Sequence, residues 1–217
     1  MAYFPFFIEI EEKNWLLAGA GSVALRKARA LLSCQARVTV VAPKIDEGFF
    51  LLRQENEENL LLLPRGFQDS DLEKMDFVIA ATADRRINER IAKQCRERNI
   101  PVNVADQREE CSFLFPSLIQ RGPVTVGIST GGNSPLLSHL IREQVNSILP
   151  EQLGEIVQQL GTLRDGVKSR FPQEPDCRRR VFDILARTAL AKGRPLTTQE
   201  IQTALDHTET DGLLSAR

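Results

Sequence analysis

Apolar residues in the first half of the chain come in short unbroken runs, and between the runs they recur at helical spacing. Phe4-Pro5-Phe6-Phe7-Ile8-Glu9-Ile10 predicts a short strand, Glu11-Glu12-Lys13-Asn14 a turn, and Trp15-Leu16-Leu17-Ala18 a second strand that runs into Gly19-Ala20-Gly21. From Ser22 the period turns helical. Val23, Ala24, Ala28, Leu31 and Leu32 share a stripe that leaves Arg26, Lys27 and Arg29 outside it. Val38–Val41, Leu60–Leu63, Phe77–Ala81 and Val102–Ala105 are further apolar runs, the form taken by strands covered on both faces. A short helix over 71–74 and an amphipathic one over 87–98, halted before Pro101, fall among them. The alternation predicts an α/β fold, a doubly wound parallel sheet of about five strands.

The middle of the chain changes character. Residues 112–119 and 124–128 are strand-like and are joined by Gln120-Arg121-Gly122-Pro123, a hairpin turn rather than a crossover. Thr130-Gly131-Gly132-Asn133-Ser134-Pro135 then opens a helix, with Ser134 at the N-cap and Pro135 in the first turn. From Leu136 to about Leu205 helical periods continue, with breaks at Pro150, at 171–175 and at 193–195. Leu153, Ile156, Val157, Leu160 and Leu163 form one stripe, and Val181, Ile184, Leu185 and Leu190 another. The last ten residues are expected to fray. The segmentation is 1–111, 112–149 and 150–217.

Charge narrows the partners. The 217 residues carry 28 Lys+Arg against 29 Asp+Glu, a formal net charge of −1, so no bulk positive field invites nucleic acid or an anionic membrane surface. No apolar run nears the roughly 18 residues of a membrane span, and Glu9, Glu11 and Glu12 stand where a signal peptide would carry Lys or Arg. A soluble cytoplasmic protein is expected. Cys34, Cys95, Cys111 and Cys177 are widely spaced without a CxxC pair and lie far from His139 and His207, so reduced buried thiols are expected and no protein-built metal site.

Strand, Gly19-Ala20-Gly21-Ser22-Val23-Ala24, helix fits the dinucleotide fingerprint of a Rossmann-type domain. Gly19 would make the tight turn, Gly21 would let backbone N–H groups reach a pyrophosphate, and Ala24 would let helix and strand pack closely. The next strand ends at Val41-Ala42-Pro43-Lys44 with no acid at its tip for a ribose hydroxyl, Asp46 coming later. Backbone at Pro43 and Lys44 would hold that ribose, and Lys44 leaves the choice between NAD and NADP open. Thr82 is placed beside the cofactor and Asp84 at a helix start. Asp106 follows an apolar strand at the rim of the crevice. A carboxylate there, ionised at neutral pH, can accept a proton, or it can simply cap the next turn.

Taken together, Gly-Ala-Gly-Ser-Val-Ala-Leu-Arg-Lys-Ala at 19–28, Val-Val-Ala-Pro at 40–43, Ala-Thr-Ala-Asp at 81–84, Val-Asn-Val-Ala-Asp at 102–106, Ser-Phe-Leu-Phe-Pro-Ser at 112–117 and Ile-Ser-Thr-Gly-Gly-Asn-Ser-Pro at 128–135 resemble the siroheme-synthase dehydrogenase family. The resemblance spans about residues 1–150. It implies an NAD-binding Rossmann domain (1–111), a small α+β dimerisation region (112–149) and a helical C-terminal domain (150–217), assembled as a homodimer with active sites in clefts between domains. It implies precorrin-2 dehydrogenase activity, with sirohydrochlorin ferrochelatase activity in many members. Asp106 aligns with the family's acid for both reactions, and Ser22, Val23, Pro43 and Lys44 match its NAD-contacting positions. The methyltransferase module of the fused members is not recognised here, so methylation is not expected.

That chemistry suits these residues. Oxidation of precorrin-2 sends a hydride to NAD⁺ and a proton to a base, and Asp106 can be that base. Metal insertion, of Fe²⁺ or Co²⁺, displaces pyrrole protons and needs no permanent metal ligand. The tetrapyrrole substrate is a polycarboxylate, and Thr130, Gly131, Gly132, Asn133 and Ser134 before a helix offer N–H donors and a positive dipole end. Arg108, Arg121 and Arg142 are candidate clamps, as against solvated surface charges. His139 is expected to be an ordinary helix residue, as against an iron ligand, and Arg178-Arg179-Arg180 a solvated face, as against a lining of the cleft from the C-terminal domain. Two rival readings use the same residues: a non-catalytic NAD-sensing module, and a sirohydrochlorin chelatase or carrier without dehydrogenase activity.

Overall fold

The computed structural model describes residues 3–215 and divides into two compact units, Met1–Phe115 with Gly131–Asn133, and Pro116–Thr130 with Ser134–Arg217. Among the described residues the first unit holds a parallel sheet of five strands: β1 (Asn14–Ala18), β2 (Arg37–Val41), β3 (Leu60–Leu63), β4 (Phe77–Ala80) and β5 (Val102–Val104). Their order is β3-β2-β1-β4-β5. Helices α1 (Ser22–Leu32), α2 (Glu47–Glu55) and α3 (Arg85–Glu97) supply the crossovers that parallel pairing requires. The winding reverses between β1 and β4, and at such a reversal the carboxyl ends of the strands leave a crevice for ligands.

Strand alternation sorts the core into two layers. Leu17, Val38, Val40, Leu60, Leu62 and Ile79 pack with Ala24, Ala28, Leu31, Phe49 and Leu52, while Leu16, Ala18, Val41, Val78, Val102 and Val104 pack with Leu72, Ile91, Ala92 and Cys95. Each large side chain so buried contributes about 1.5–3 kcal/mol. Trp15 is 3% exposed, stacked on Phe77 with ring centroids 4.4 Å apart and edge-on to Phe113 at 6.0 Å.

Several expectations need correction. Residues 4–10 form no strand among the described residues: neither sheet includes them, and Phe4, Phe6 and Phe7 are exposed. Aromatic content there mimics a strand, but a strand needs a partner and a covered face. The helix expected over 71–74 is a short 3-10 turn over Asp69–Leu72. Helix α2 was not foreseen, because its apolar positions make only a narrow stripe; Asp46 caps it, accepting from the Gly48 N–H at 2.9 Å. Leu61, on the edge strand β3, is exposed, and Lys27, expected outside the α1 stripe, is buried. Of the four cysteines, Cys95 is buried and the other three are half-buried.

In the second unit, β6 (Ser117–Arg121) and β7 (Val124–Ile128) form an antiparallel hairpin, followed by α4 (Pro135–Ile148), α5 (Leu153–Arg170), α6 (Pro175–Lys192) and α7 (Thr198–Ser215). The first arm of the hairpin starts at Ser117, not at 112; Phe113 and Phe115 instead pack on the core of the first unit, to which they belong. Ile156, Val167, Phe171, Val181, Leu185, Ala189, Leu196 and Ala204 build the helical core, while Val157 and Leu190 fall off their expected stripes and are exposed. At the hairpin turn Gly122 has φ +56, and a Cβ on Gly154 would come within 2.7 Å of the Arg121 carbonyl oxygen, so the turn and the start of α5 touch backbone to backbone. Helix α4 buries Ser138 and leaves Leu136, Leu137, Leu140 and Ile148 exposed. Where fraying was expected α7 continues to Ser215, and the last two residues of that expectation lie outside the described ones. Among the described residues no helix is long and apolar enough to cross a membrane.

Candidate functional site

The loop after β1 is built for an anion. Gly19 has φ +108, and a Cβ there would lie 2.2 Å from the Ala81 carbonyl oxygen, so the approach of β1 to the end of β4 requires glycine. Gly21 differs. Its φ of −89° suits any residue and a Cβ would meet nothing within 4 Å, so the chain's own packing leaves the space above it open. Gly21 is the N-cap of α1, no side chain caps the helix, and its first turn carries no acid. Gly21, Ser22 and Val23 are exposed while Ala24 packs inward. Exposed N–H groups at a positive dipole end, approached over a bare glycine, fit a dinucleotide pyrophosphate.

Pro43 and Lys44 lie exposed just beyond β2. Asp46 caps α2, and its own N–H donates to the Ala20 carbonyl at 3.1 Å, so this acid is engaged locally. After β4 the Thr82 hydroxyl is turned inward, 2.8 Å from Asn88 Oδ1 and 2.9 Å from the Asp84 carbonyl oxygen. The Thr82 N–H donates to Asn88 Oδ1, and Asn88 Nδ2 donates back to the Thr82 carbonyl. Asp84 caps α3, as expected, accepting from the Arg86 N–H at 2.8 Å. Asn88 therefore holds the loop at Thr82. Sequence reasoning missed it, although an asparagine on the buried side of an amphipathic helix is an unusual choice that asks for a partner.

Asp106 is exposed after β5 with φ +57, a left-handed conformation that Asp tolerates better than most residues. Its loop is closed by Cys111, whose sulfur accepts from the Val104 N–H at 3.1 Å and lies 3.3 Å from the carbonyl oxygens of Val104 and Gln107. Gln107 is buried, and its Oε1 finds no hydrogen-bond partner among the described residues, leaving an acceptor unused beside the acid. Behind the loop, Lys27 Nζ donates to Asn103 Oδ1 and lies 5.5 Å from the centroid of the Phe115 ring. Burial drives the Lys27 ammonium from 10.5 down to about 8, with Arg26 adding to the fall and Cys111 and Asp106 opposing it. Lys27 and Asn103 were also missed, yet a polar residue between Val102 and Val104 in an apolar run is a legible signal.

The turn at 130–134 is tightly self-bonded. Thr130 Oγ1 donates to the Ser134 carbonyl at 2.9 Å and accepts from the Ser134 N–H, while Ser134 Oγ caps α4 by accepting from the Leu137 N–H. Gly131 and Gly132 have φ of +62 and +79, and Arg108 packs over Gly132 while donating to Asn133 Oδ1 at 3.0 Å. The N–H donors expected here to meet substrate are thus partly engaged within the turn, the Ser134 N–H by Thr130 Oγ1. Arg121 donates to Asn146 Oδ1 at 2.6 Å, and Arg142 approaches His139 Nδ1, whose other nitrogen is 3.2 Å from Glu143. Arg178 binds the Phe171 and Pro172 carbonyls, and Arg179 and Arg180 are exposed.

A family model described as "Putative NAD(P)-binding" matches residues 6–117, and one described as "Sirohaem biosynthesis protein central" matches residues 121–147. The chain belongs to the siroheme-synthase family. Within the family it is 40% identical over 185 residues to the siroheme synthase of Thioalkalivibrio sulfidiphilus, which takes in 85% of this chain and 37% of that protein. To the siroheme synthase of an Enterobacter species it is 39% identical over 210 residues, 96% of this chain and 45% of that protein. The chain spans about two fifths of the length of these curated relatives. Among solved structures, SirC, precorrin-2 dehydrogenase, shares its fold with a TM-score of 0.71 at 22% identity, covering 96% of this chain and 100% of that one.

Proposed function

We propose that this chain oxidises precorrin-2 to sirohydrochlorin with NAD⁺, Asp106 receiving the proton released as the macrocycle gains conjugation. One arrangement carries the reading: the uncapped, exposed start of α1 after β1 and the exposed Asp106 after β5 share the carboxyl edge of one parallel sheet. When bound, the nicotinamide supplies the two-electron acceptor of the oxidation. Gly21, Ser22 and Val23 would hold the pyrophosphate through backbone N–H groups, Gly19 and Thr82 would shape the floor beneath it, and Pro43 and Lys44 would hold the ribose. The turn of Thr130, Gly131, Gly132, Asn133 and Ser134, at the start of α4, would meet substrate carboxylates. Membership of the siroheme-synthase family favours a tetrapyrrole substrate, and the activity in SirC's name favours this step of its chemistry.

The same reading has the protein working in the cytoplasm as a homodimer, with 112–149 as the dimerisation region; the exposed Leu136, Leu137, Leu140 and Ile148 on α4 support a covering partner. Among the described residues no group of three or more His, Cys, Asp or Glu could hold a metal ion. In a second activity, insertion of Fe²⁺ or Co²⁺ into sirohydrochlorin, the macrocycle would itself supply the metal's ligands and Asp106 would accept a displaced proton.

The test is an anaerobic mixture of protein and precorrin-2 with NAD⁺ or NADP⁺, followed by reduced-cofactor and sirohydrochlorin absorbance. Turnover faster with NAD⁺, falling about 100-fold or more in Asp106→Ala, is the expected result. Undiminished turnover in the variant removes Asp106 from the reaction, and no turnover with either cofactor removes the dehydrogenase.

A further inference from the structure

Inside the first unit, the helix that starts at the nucleotide loop and the strand that leads to Asp106 are tied by a buried polar link. Lys27, on α1, is 7% exposed and donates to Asn103 Oδ1 on β5. Asn103 alternates with Val102 and Val104, which enter the opposite core layer, so it faces α1 at the register of Ile79 and Leu17. Its Nδ2 donates to the Phe113 carbonyl at 3.0 Å and approaches Cys111 Sγ at 3.6 Å, the sulfur that closes the loop bearing Asp106. An ammonium placed among apolar side chains against a neutral amide and a phenyl face is a poor way to fill space, because an apolar side chain of similar volume would escape the desolvation. Packing alone does not account for lysine here.

We propose that Lys27 is a positioning residue for Asp106, fixing the loop that carries the acid to the helix that carries the nucleotide loop. The inference rests on the role given to Asp106 above. The ionisable groups that act on Lys27 are Cys111 and Asp106 from the loop after β5 and Arg26 from its own helix.

Lys27→Met keeps the length of the stem and removes both charge and donor. It should lower kcat for precorrin-2 oxidation about tenfold or more while KM and NADH affinity, read by fluorescence titration, stay within about twofold. The double variant with Asp106→Asn should be no slower than Asp106→Asn alone, since the two residues act through one group. Amide exchange at Val104 and Cys111 should quicken about tenfold in Lys27→Met. Asn103→Ala cuts the link from the strand side, should show the same pattern, and replaces Lys27→Met if that variant does not fold. Wild-type kcat in Lys27→Met, or additive losses in the double variant, overturns the proposal. A wild-type chain that fails to oxidise precorrin-2 overturns the reading of Asp106 instead, and the exchange measurement then decides alone whether Lys27 holds the loop.

Discussion

Replacing Lys27 by Met should change how stability depends on pH, by an amount the structure sets. In the folded chain burial lowers this amine from 10.5 to about 8. Unfolding returns it to its ordinary value, so between those two limits the unfolded state holds the extra proton and stability rises with pH. At about 1.36 kcal/mol per pKa unit, the buried charge costs the folded state about 3 kcal/mol at neutral pH, and about 2 kcal/mol of that is relieved between about pH 7 and about pH 9.5. Cys95 works the other way: burial holds its thiol up to about 11, so stability is lost as pH climbs from 9.0 toward that value, equally in both proteins. The difference between variant and wild type cancels Cys95 and leaves Lys27 together with Cys111, whose thiol burial raises and the Lys27 charge lowers. Methionine leaves Asn103 Oδ1 unpaired at about 1–3 kcal/mol, which offsets most of the relief, so the two proteins should be near-equal at neutral pH and the variant the weaker in alkali. Urea unfolding at about pH 7, 8.5 and 9.5 with a constant m-value measures it. Parallel stability curves, differing in slope by less than about 0.5 kcal/mol over that range, would show an ammonium that keeps its hydration and would refute the buried link.

The glycines of the nucleotide loop should separate folding from binding. Gly19→Ala drives a methyl onto the Ala81 carbonyl at positive φ and should lower stability by about 2–4 kcal/mol, read as a fall in Tm. Gly21→Ala should change unfolding free energy by no more than about 1 kcal/mol, the difference between Gly and Ala as an N-cap, yet weaken NADH binding about tenfold or more, because its methyl enters the open space. In the second unit Gly154→Ala sets a methyl 2.7 Å from the Arg121 carbonyl oxygen and should cost about 1–3 kcal/mol in thermal or urea unfolding.

The sheet was legible because a strand covered on both faces has no polar alternative. The runs at 15–18, 38–41, 60–63, 77–80 and 102–104 all became strands, and the helix breaks at Pro150, Pro172 and Gly193 fell where proline and glycine forbid continuation. Residues 4–10 misled because local composition cannot say whether a neighbouring strand exists. Lys27 misled for a related reason: helical periodicity assigns lysine to water, and the partner that brings it inward lies 76 residues away. The geometry at 130–134 had the same blind spot. Thr130, Asn133 and Ser134 look like ligand donors in isolation, and only the fold reveals that they bond one another, Arg108 and the start of α4.

The chain has a single tryptophan, and it sits at the start of β1, against Phe77. Its emission therefore reports on the parallel sheet and is silent about α4 to α7, which dominate the far-ultraviolet circular dichroism. One signal thus follows the first unit alone and the other mostly the second, with α1 to α3 adding to it, and coincident melting curves are the mark of the units unfolding together.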